Sequence, residues 1–266
     1  MKINEQYHNL NLLENVTYEF LGRDGEAHEE TEPSLVEHMM NVYVNERLTM
    51  KLVCIPEHLA ELVLGRLFTE GIISSADDIE QIYICEFGKR ARVILNKNKS
   101  GQPHEENEDY IAPTPTCCTG NHILNDYFVS GQTPKTVPSI NWKPDWIFQM
   151  ADAFADGMPL HSTTFATHSC LLARNGQILF SCEDIGRHNA LDKVIGYALR
   201  NQIDLRECIV YSSGRIPTDM AMKAIYAQIP ILASKASPTV EAIELAKEYH
   251  LTLICAARRD RMKVFS

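Results

Sequence analysis

The sequence predicts two unlike halves: an antiparallel α+β domain over residues 1–140 and a layered α/β domain over residues 141–266. Three observations carry this reading. Residues 34–95 place two strand pairs around one helical stretch. Pro134, Pro138 and Pro144 fall close together, the mark of a connection, and set the boundary near residue 141. From residue 188 onward helical and strand-like runs alternate one for one, which implies parallel strands joined by crossover helices.

In the first half, "SLVEHMMNVYVNERLTMKLVCIP" (34–56) holds two β-rich runs around the polar tip "VNERL", a hairpin signal. "EHLAELVLGRLFTEG" then repeats Leu59, Leu62, Val63 and Leu67 at helical spacing, with Gly71 placed to stop the helix. Runs 81–87 and 91–95 read as a second strand pair with "GKR" at the turn. From Asn96 to Thr119 the chain is polar and irregular. A connection of that length inside a compact protein is either functional or disordered. It carries "PTPTCCTGNHILNDYF", two adjacent cysteines just before the helix-like "NHILNDYFV".

The second half is expected to run helix 145–156, strands 168–174 and 177–182 across an "NG" turn, helix 188–200, strand 207–212, helix 217–227, strand 229–233, helix 238–249 and strand 251–256.

Composition narrows the function. The 266 residues are 45 % hydrophobic, ample for packed cores. No run of eighteen apolar residues occurs, so no membrane span is expected. The N-terminus "MKINEQYHNLNLLENV" lacks the apolar stretch of a secretory signal and reads as cytoplasmic. The net charge of −10 is uneven: the first 116 residues carry 10 basic and 21 acidic groups, the rest 15 and 14. A nucleic-acid coat is therefore not expected, whereas a small anion in a basic pocket of the second half is. Cys54, Cys85, Cys170, Cys208 and Cys255 sit in apolar strand-like runs, and Cys182 closes another, so these read as inert buried thiols. Cys117 and Cys118 have no apolar setting and are the reactive candidates. No zinc-ligand spacing occurs, and no metal site is expected.

The chemistry gathers where strands end. "ECIVYS" leads into Ser213-Gly214-Arg215, "IPILAS" into Lys235-Ala236-Ser237, and "LTLICA" into "ARRDRMK" with Arg258, Arg259 and Arg261. In a parallel sheet these loops share the carboxyl edge, where open α/β folds bind ligands. Helix amides, hydroxyls and arginine forks suit a phosphate there; solvated basic surface is the plainer reading of each loop alone. "SCEDIGRHNALDKVIGYALR" crowds Glu183, Asp184, Arg187, His188 and Asn189 ahead of a helix whose buried face is Leu191, Val194, Ile195 and Ala198. A capped amphipathic helix would explain part of this, but so many polar groups exceed what a cap needs. His168 in "FATHSC" reads either as a satisfied core residue or as a pocket residue.

Taken together, "EDIGRHNALDKVIG", "SSGRIPTDMAMKA", "IPILASKASPTVEAIELA", "CAARRDRMKVFS" and, in the first half, "ELVLGRLFTEGII" closely resemble the formate dehydrogenase accessory sulfurtransferase family, FdhD, from about residue 30 to the C-terminus. The resemblance implies a second domain similar to the cytidine deaminase fold and a homodimer. It implies a sulfurtransferase that takes persulfide sulfur from a cysteine desulfurase and hands it to the molybdenum cofactor, as bis-molybdopterin guanine dinucleotide, for the formate dehydrogenase catalytic subunit. By the same resemblance Cys117 carries the persulfide on a mobile inter-domain loop over about 97–120. The family's usual CxxCG is here Cys117-Cys118-Thr119-Gly120, so the second cysteine position falls on Gly120, and Cys118 either substitutes or is incidental. Likewise "TTFATH" stands where relatives tend to show "TGGxH", keeping His168 without the glycine turn. The implied cofactor contacts are Ser213, Arg215, Lys235, and Ala256, Ala257, Arg258, Arg259, Asp260 and Arg261, with His168, Arg187 and His188 lining the pocket and GDP as a mimic. A rival class is an escort or scaffold for formate dehydrogenase without sulfur chemistry. A zinc deaminase is excluded, because H-x-E and P-C-x-x-C are absent.

Overall fold

The computed structural model describes residues 1–96 and 134–266. Its first sheet has the order β1-β6-β7-β4-β5, built from β1 (Lys2–Glu5), β4 (His38–Val44), β5 (Arg47–Cys54), β6 (Ile79–Ile84) and β7 (Arg90–Leu95). The expected hairpins form. β4 and β5 turn through Asn45 and Glu46, both at positive φ, and β6 and β7 turn beside Gly88 at φ +65°. Alternation sends Met40, Val42, Val44, Ile82, Ile84, Ala91 and Val93 to one buried face. Helix α1 (Leu59–Thr69) covers that face and stops as expected at Gly71, whose φ of +73° suits glycine.

The sheet is mixed rather than antiparallel: β4 pairs parallel with β7, and β1 parallel with β6. The reason is topological. The α1 crossover returns the second hairpin to the first in the same sense, and crossovers of that kind join parallel neighbours. Strands β2 (Leu13–Leu21) and β3 (Ala27–Leu35) were not expected. They form a separate antiparallel ribbon, exposed along most of its length, where Glu19 lies directly opposite Glu29.

The second sheet has the order β13-β12-β11-β10-β8-β9, from β8 (His168–Arg174), β9 (Gln177–Asp184), β10 (Cys208–Ser212), β11 (Ile231–Ser234), β12 (Thr252–Cys255) and the short β13 (Lys263–Val264). As expected, β10, β11 and β12 are parallel neighbours. The β8–β9 hairpin turns at Asn175 and Gly176, both at positive φ as its "NG" demands. β8 then pairs antiparallel with β10, so β9 and β10 do not touch although one helix separates them in sequence. Helices lie on both faces. On one side α4 (Arg187–Arg200), α5 (Thr218–Tyr226) and α6 (Val240–Glu248) pack with Leu172, Val210, Leu232 and Leu253. On the other, α2 (Pro144–Asp156) packs with Leu171, Ile209, Ile231 and Ile254. A short helix α3 (Pro159–Thr164), also unexpected, links α2 to β8. Val137 already sits in the second core, and its N–H donates to the Tyr249 carbonyl.

The halves meet where α1 packs along α4. That junction absorbs much of the "EDIGRHNALDK" string. Buried Asp184 accepts from Ile55 N at 3.2 Å and from Lys193 Nζ at 2.7 Å, while Asn189 donates to the Val53 carbonyl at 2.7 Å. Asp192 accepts from Lys223 at 2.7 Å, Thr69 at 2.8 Å and Arg66 at 3.3 Å. The density of polar groups that argued for chemistry is thus largely a buried polar weld, each charge paired as burial requires.

Candidate functional site

At the carboxyl ends of β10, β11 and β12 two cavities adjoin, of about 380 and 330 Å³. Phe154, Lys235 and Arg258 line both and form their common wall. The loops are held to each other by backbone. Ile216 N donates to the Ser237 carbonyl, Thr239 N to Ile216, Ala256 N to Ala236 and Ala257 N to Ser234. Ser234 Oγ donates to the Gly214 carbonyl at 2.6 Å. Such a set of short strand-to-helix turns needs little side-chain bulk, and Gly214 shows why: a Cβ there would lie 2.9 Å from Arg187 Cβ and Cδ. Glycine therefore lets the Arg187 stem lie against the Ser213–Arg215 loop, joining the two motifs.

The first cavity holds His168, Ser213, Lys235 and Arg258, four of the expected contacts. Ser213 Oγ accepts from Ser169 N at 2.9 Å and lies 3.2 Å from His168 Nδ1, so this hydroxyl is engaged within the protein. Burial, and then the positive fields of Arg187, His161, His188 and Arg215, hold His168 below its ordinary pKa. Lys235 and Arg258 in its lining, with Arg187 and Arg215 close enough to act on His168, make the cavity basic. Arg215 itself is exposed and lines neither cavity. His188 is turned away into the protein: its Nε2 lies 3.2 Å from Asp219 Oδ2, and burial, opposed by that carboxylate, lowers its pKa.

The second cavity takes Ala257, Arg258, Arg259, Asp260 and Arg261 in sequence. The run is shaped by Ala256 at φ +49° and by Arg258 N donating to the Arg261 carbonyl at 2.7 Å. Ala257 is fully buried, and its carbonyl accepts from Tyr211 OH at 3.0 Å, so it anchors the run rather than offering a side chain. Arg259 is committed to α2, bonding Asp156 and reaching Asp152 at 3.8 Å. Among the lining residues that sequence reasoning missed are Phe154, His161 and Phe165. They come from α2 and the α3 turn, and no local pattern marks them. Lys235 Nζ stands 4.8 Å from the Phe154 ring centroid, a cation–π distance.

Of the six described cysteines, five are buried as expected and one is not. Burial raises the thiol pKa of Cys54 and Cys170, and lifts Cys182 and Cys255 to about 12 and Cys208 to about 11. All five are inert at neutral pH. Cys85, expected in a strand core, lies just past the end of β6 and is only half-buried. Cys117 and Cys118 lie outside the described residues. Among the described residues no helix is long and apolar enough to cross a membrane.

Comparison with known proteins agrees over nearly the whole length. The FdhD/NarQ family model matches residues 35–266. The sulfur carrier protein FdhD of Listeria monocytogenes serotype 4b is 32 % identical over 233 residues, covering 86 % of this chain and 88 % of the relative. That of Bacillus pumilus is 32 % identical over 247 residues, covering 92 % of each. A crystal structure from Desulfotalea psychrophila, described as a formate dehydrogenase accessory protein, aligns with a TM-score of 0.75 at 26 % identity, over 96 % of this chain and 97 % of that one. On these matches the chain belongs to the FdhD/NarQ family.

Proposed function

We propose that this protein is a sulfur carrier that accepts persulfide sulfur from a cysteine desulfurase and passes it to the bis-molybdopterin guanine dinucleotide form of the molybdenum cofactor, for activation of formate dehydrogenase. It would act in the cytoplasm as a homodimer, with the cofactor as its substrate. The observation that carries this reading is the pair of adjoining cavities with Lys235 and Arg258 in their common wall. An elongated nucleotide with a central diphosphate suits two compartments whose junction is cationic. Relatives named as sulfur carriers support the sulfur chemistry. The mixed six-stranded sheet with helices on both faces supports the expected likeness to the cytidine deaminase fold.

Cys117 is the carrier in this reading. Its thiolate attacks the outer sulfur of the donor persulfide, a new S–S bond forms on Cys117, and the donor cysteine leaves as a thiolate, so the exchange needs no outside oxidant. Burial disqualifies five of the other cysteines. Calorimetric titration with GDP tests the ligand. Lys235→Ala and Arg261→Ala are each expected to weaken binding by roughly 1.5–3 kcal/mol. Arg259→Ala, whose guanidinium is held by α2, should cost less. Unchanged affinity in both Lys235→Ala and Arg261→Ala would move the site elsewhere.

A further inference from the structure

Glu183, next to last in β9, is almost fully buried at 7 % exposure; its carbonyl accepts from Lys193 at 3.1 Å, while its carboxylate faces neither the junction nor the cavity surface directly. Its two oxygens collect three donors from a different segment. Oε2 accepts from Leu160 N at 2.9 Å; Oε1 accepts from His161 N at 2.6 Å and from Thr167 Oγ1 at 2.8 Å. Leu160 and His161 stand in the first turn of α3, where amides have no partner within the helix and the N-cap residue, Met158, offers none. A carboxylate from another strand therefore caps this helix, and the same carboxylate holds the residue just before β8. His161 Nδ1, 3.0 Å from the Thr167 carbonyl, closes the segment on itself.

The segment pinned at both ends, 160–168, forms one wall of the first cavity and brings His161, Phe165, Thr167 and His168 to it. Phe165 is 80 % exposed at a φ of +52° and its ring meets that of His161 in the same segment at 5.8 Å, so its place depends on the segment itself rather than on the core. We propose that Glu183 is a positioning residue: its three hydrogen bonds fix the 160–168 wall and so set the affinity of the cavity for its nucleotide ligand. This rests on the cofactor-binding reading above. The carboxyl group is matched to the task because its two oxygens have acceptor capacity for all three donors.

Glu183→Gln separates pinning from packing. The side chain keeps its size, but an amide carries a single oxygen, so at least one α3 amide loses its acceptor. Glu183→Ala removes all three bonds. Hydrogen exchange, resolved by segment, and calorimetry with GDP are measured on both variants and on wild type. The expected result is exchange faster by tenfold or more across 160–168 with 187–200 and 208–212 unchanged, and GDP affinity lowered about threefold to tenfold in Glu183→Gln and further in Glu183→Ala. Faster exchange throughout the protein would make Glu183 merely structural and overturn the proposal. Unchanged GDP affinity with a loosened wall would overturn it too. Wild-type protein that fails to bind GDP contradicts the nucleotide reading instead, and the exchange data still decide whether Glu183 pins the wall.

Discussion

Gly65 of α1 and Gly196 of α4 mark the point where the two halves of the protein come closest. A Cβ on Gly65 would fall 1.8 Å from the Asp192 carbonyl oxygen, and one on Gly196 would fall 1.8 Å from that of Glu61. Both obstacles are backbone, which cannot swing aside as a side chain can. The helices thus touch main chain to main chain.

Gly65→Ala and Gly196→Ala are each expected to destabilise the protein by about 3 kcal/mol, the upper end of overpacking costs, because the helix axes must separate. Urea unfolding reads this directly. A loss under about 0.5 kcal/mol in both would mean the helices slide apart freely.

Asp192 lies beside that contact, and its charge has a pH signature. Burial alone would raise its carboxyl pKa, but Lys223 and Arg66 outweigh burial and bring it below the ordinary value. A carboxyl lowered on folding adds stability that is complete above its unfolded pKa, near 4, and is lost as pH falls through the folded value. Asp192→Asn should therefore cost about 3–5 kcal/mol at pH 7 by leaving buried Lys223 without its carboxylate, while Arg66 keeps Glu70 at 3.0 Å. The gap to wild type should close only below about pH 4, and Lys223→Met added to Asp192→Asn should restore part of the loss. A gap independent of pH, or a double variant no better than the single, would contradict the weld.

What the sequence made legible is local. The hairpins announced themselves through Asn175-Gly176 and the "VNERL" tip, and α4 through Leu191, Val194, Ile195 and Ala198 at helical spacing. What it hid is non-local. The parallel pairing of β1 with β6 depends on four polar-flanked residues, "KINE", meeting a strand some eighty positions away. The ribbon β2–β3 alternates weakly and is rich in glutamate, which is depleted in strands. Within the site, Lys235, Arg258 and Arg261 were legible because strand ends in a parallel sheet converge. Phe154 and His161 were not, because only packing of α2 and α3 brings them there. The motif around Asp184 and Lys193 misled in kind: its polarity serves the junction.

His168 gives the ligand site a pH dependence of its own. In the free protein its pKa is lowered, by burial first and by Arg187, His161, His188 and Arg215 after it. An anionic diphosphate nearby favours the charged ring and raises that pKa, so binding takes up a proton. Affinity for GDP should accordingly rise as pH falls through the interval between the bound and free values and level off below the free one. Comparing wild type with His168→Gln removes the titration of GDP itself. The variant should show a shallower rise as pH falls, and equal slopes would place His168 away from the phosphates.

The central claim is that Cys117 carries sulfur, and intact mass with peptide mapping tests it most directly. The protein is incubated with a cysteine desulfurase and cysteine, without reductant, as wild type, Cys117→Ala, Cys118→Ala and the double variant. The account predicts the mass of an added sulfur on the Cys117 peptide of wild type and of Cys118→Ala, and none on Cys117→Ala. Folding should stay within about 0.5 kcal/mol of wild type, the outcome that the polar, irregular sequence around Cys117 implies. Wild type that gains no sulfur, or a double variant that still matures active formate dehydrogenase, would contradict the account and leave an escort without sulfur chemistry in its place.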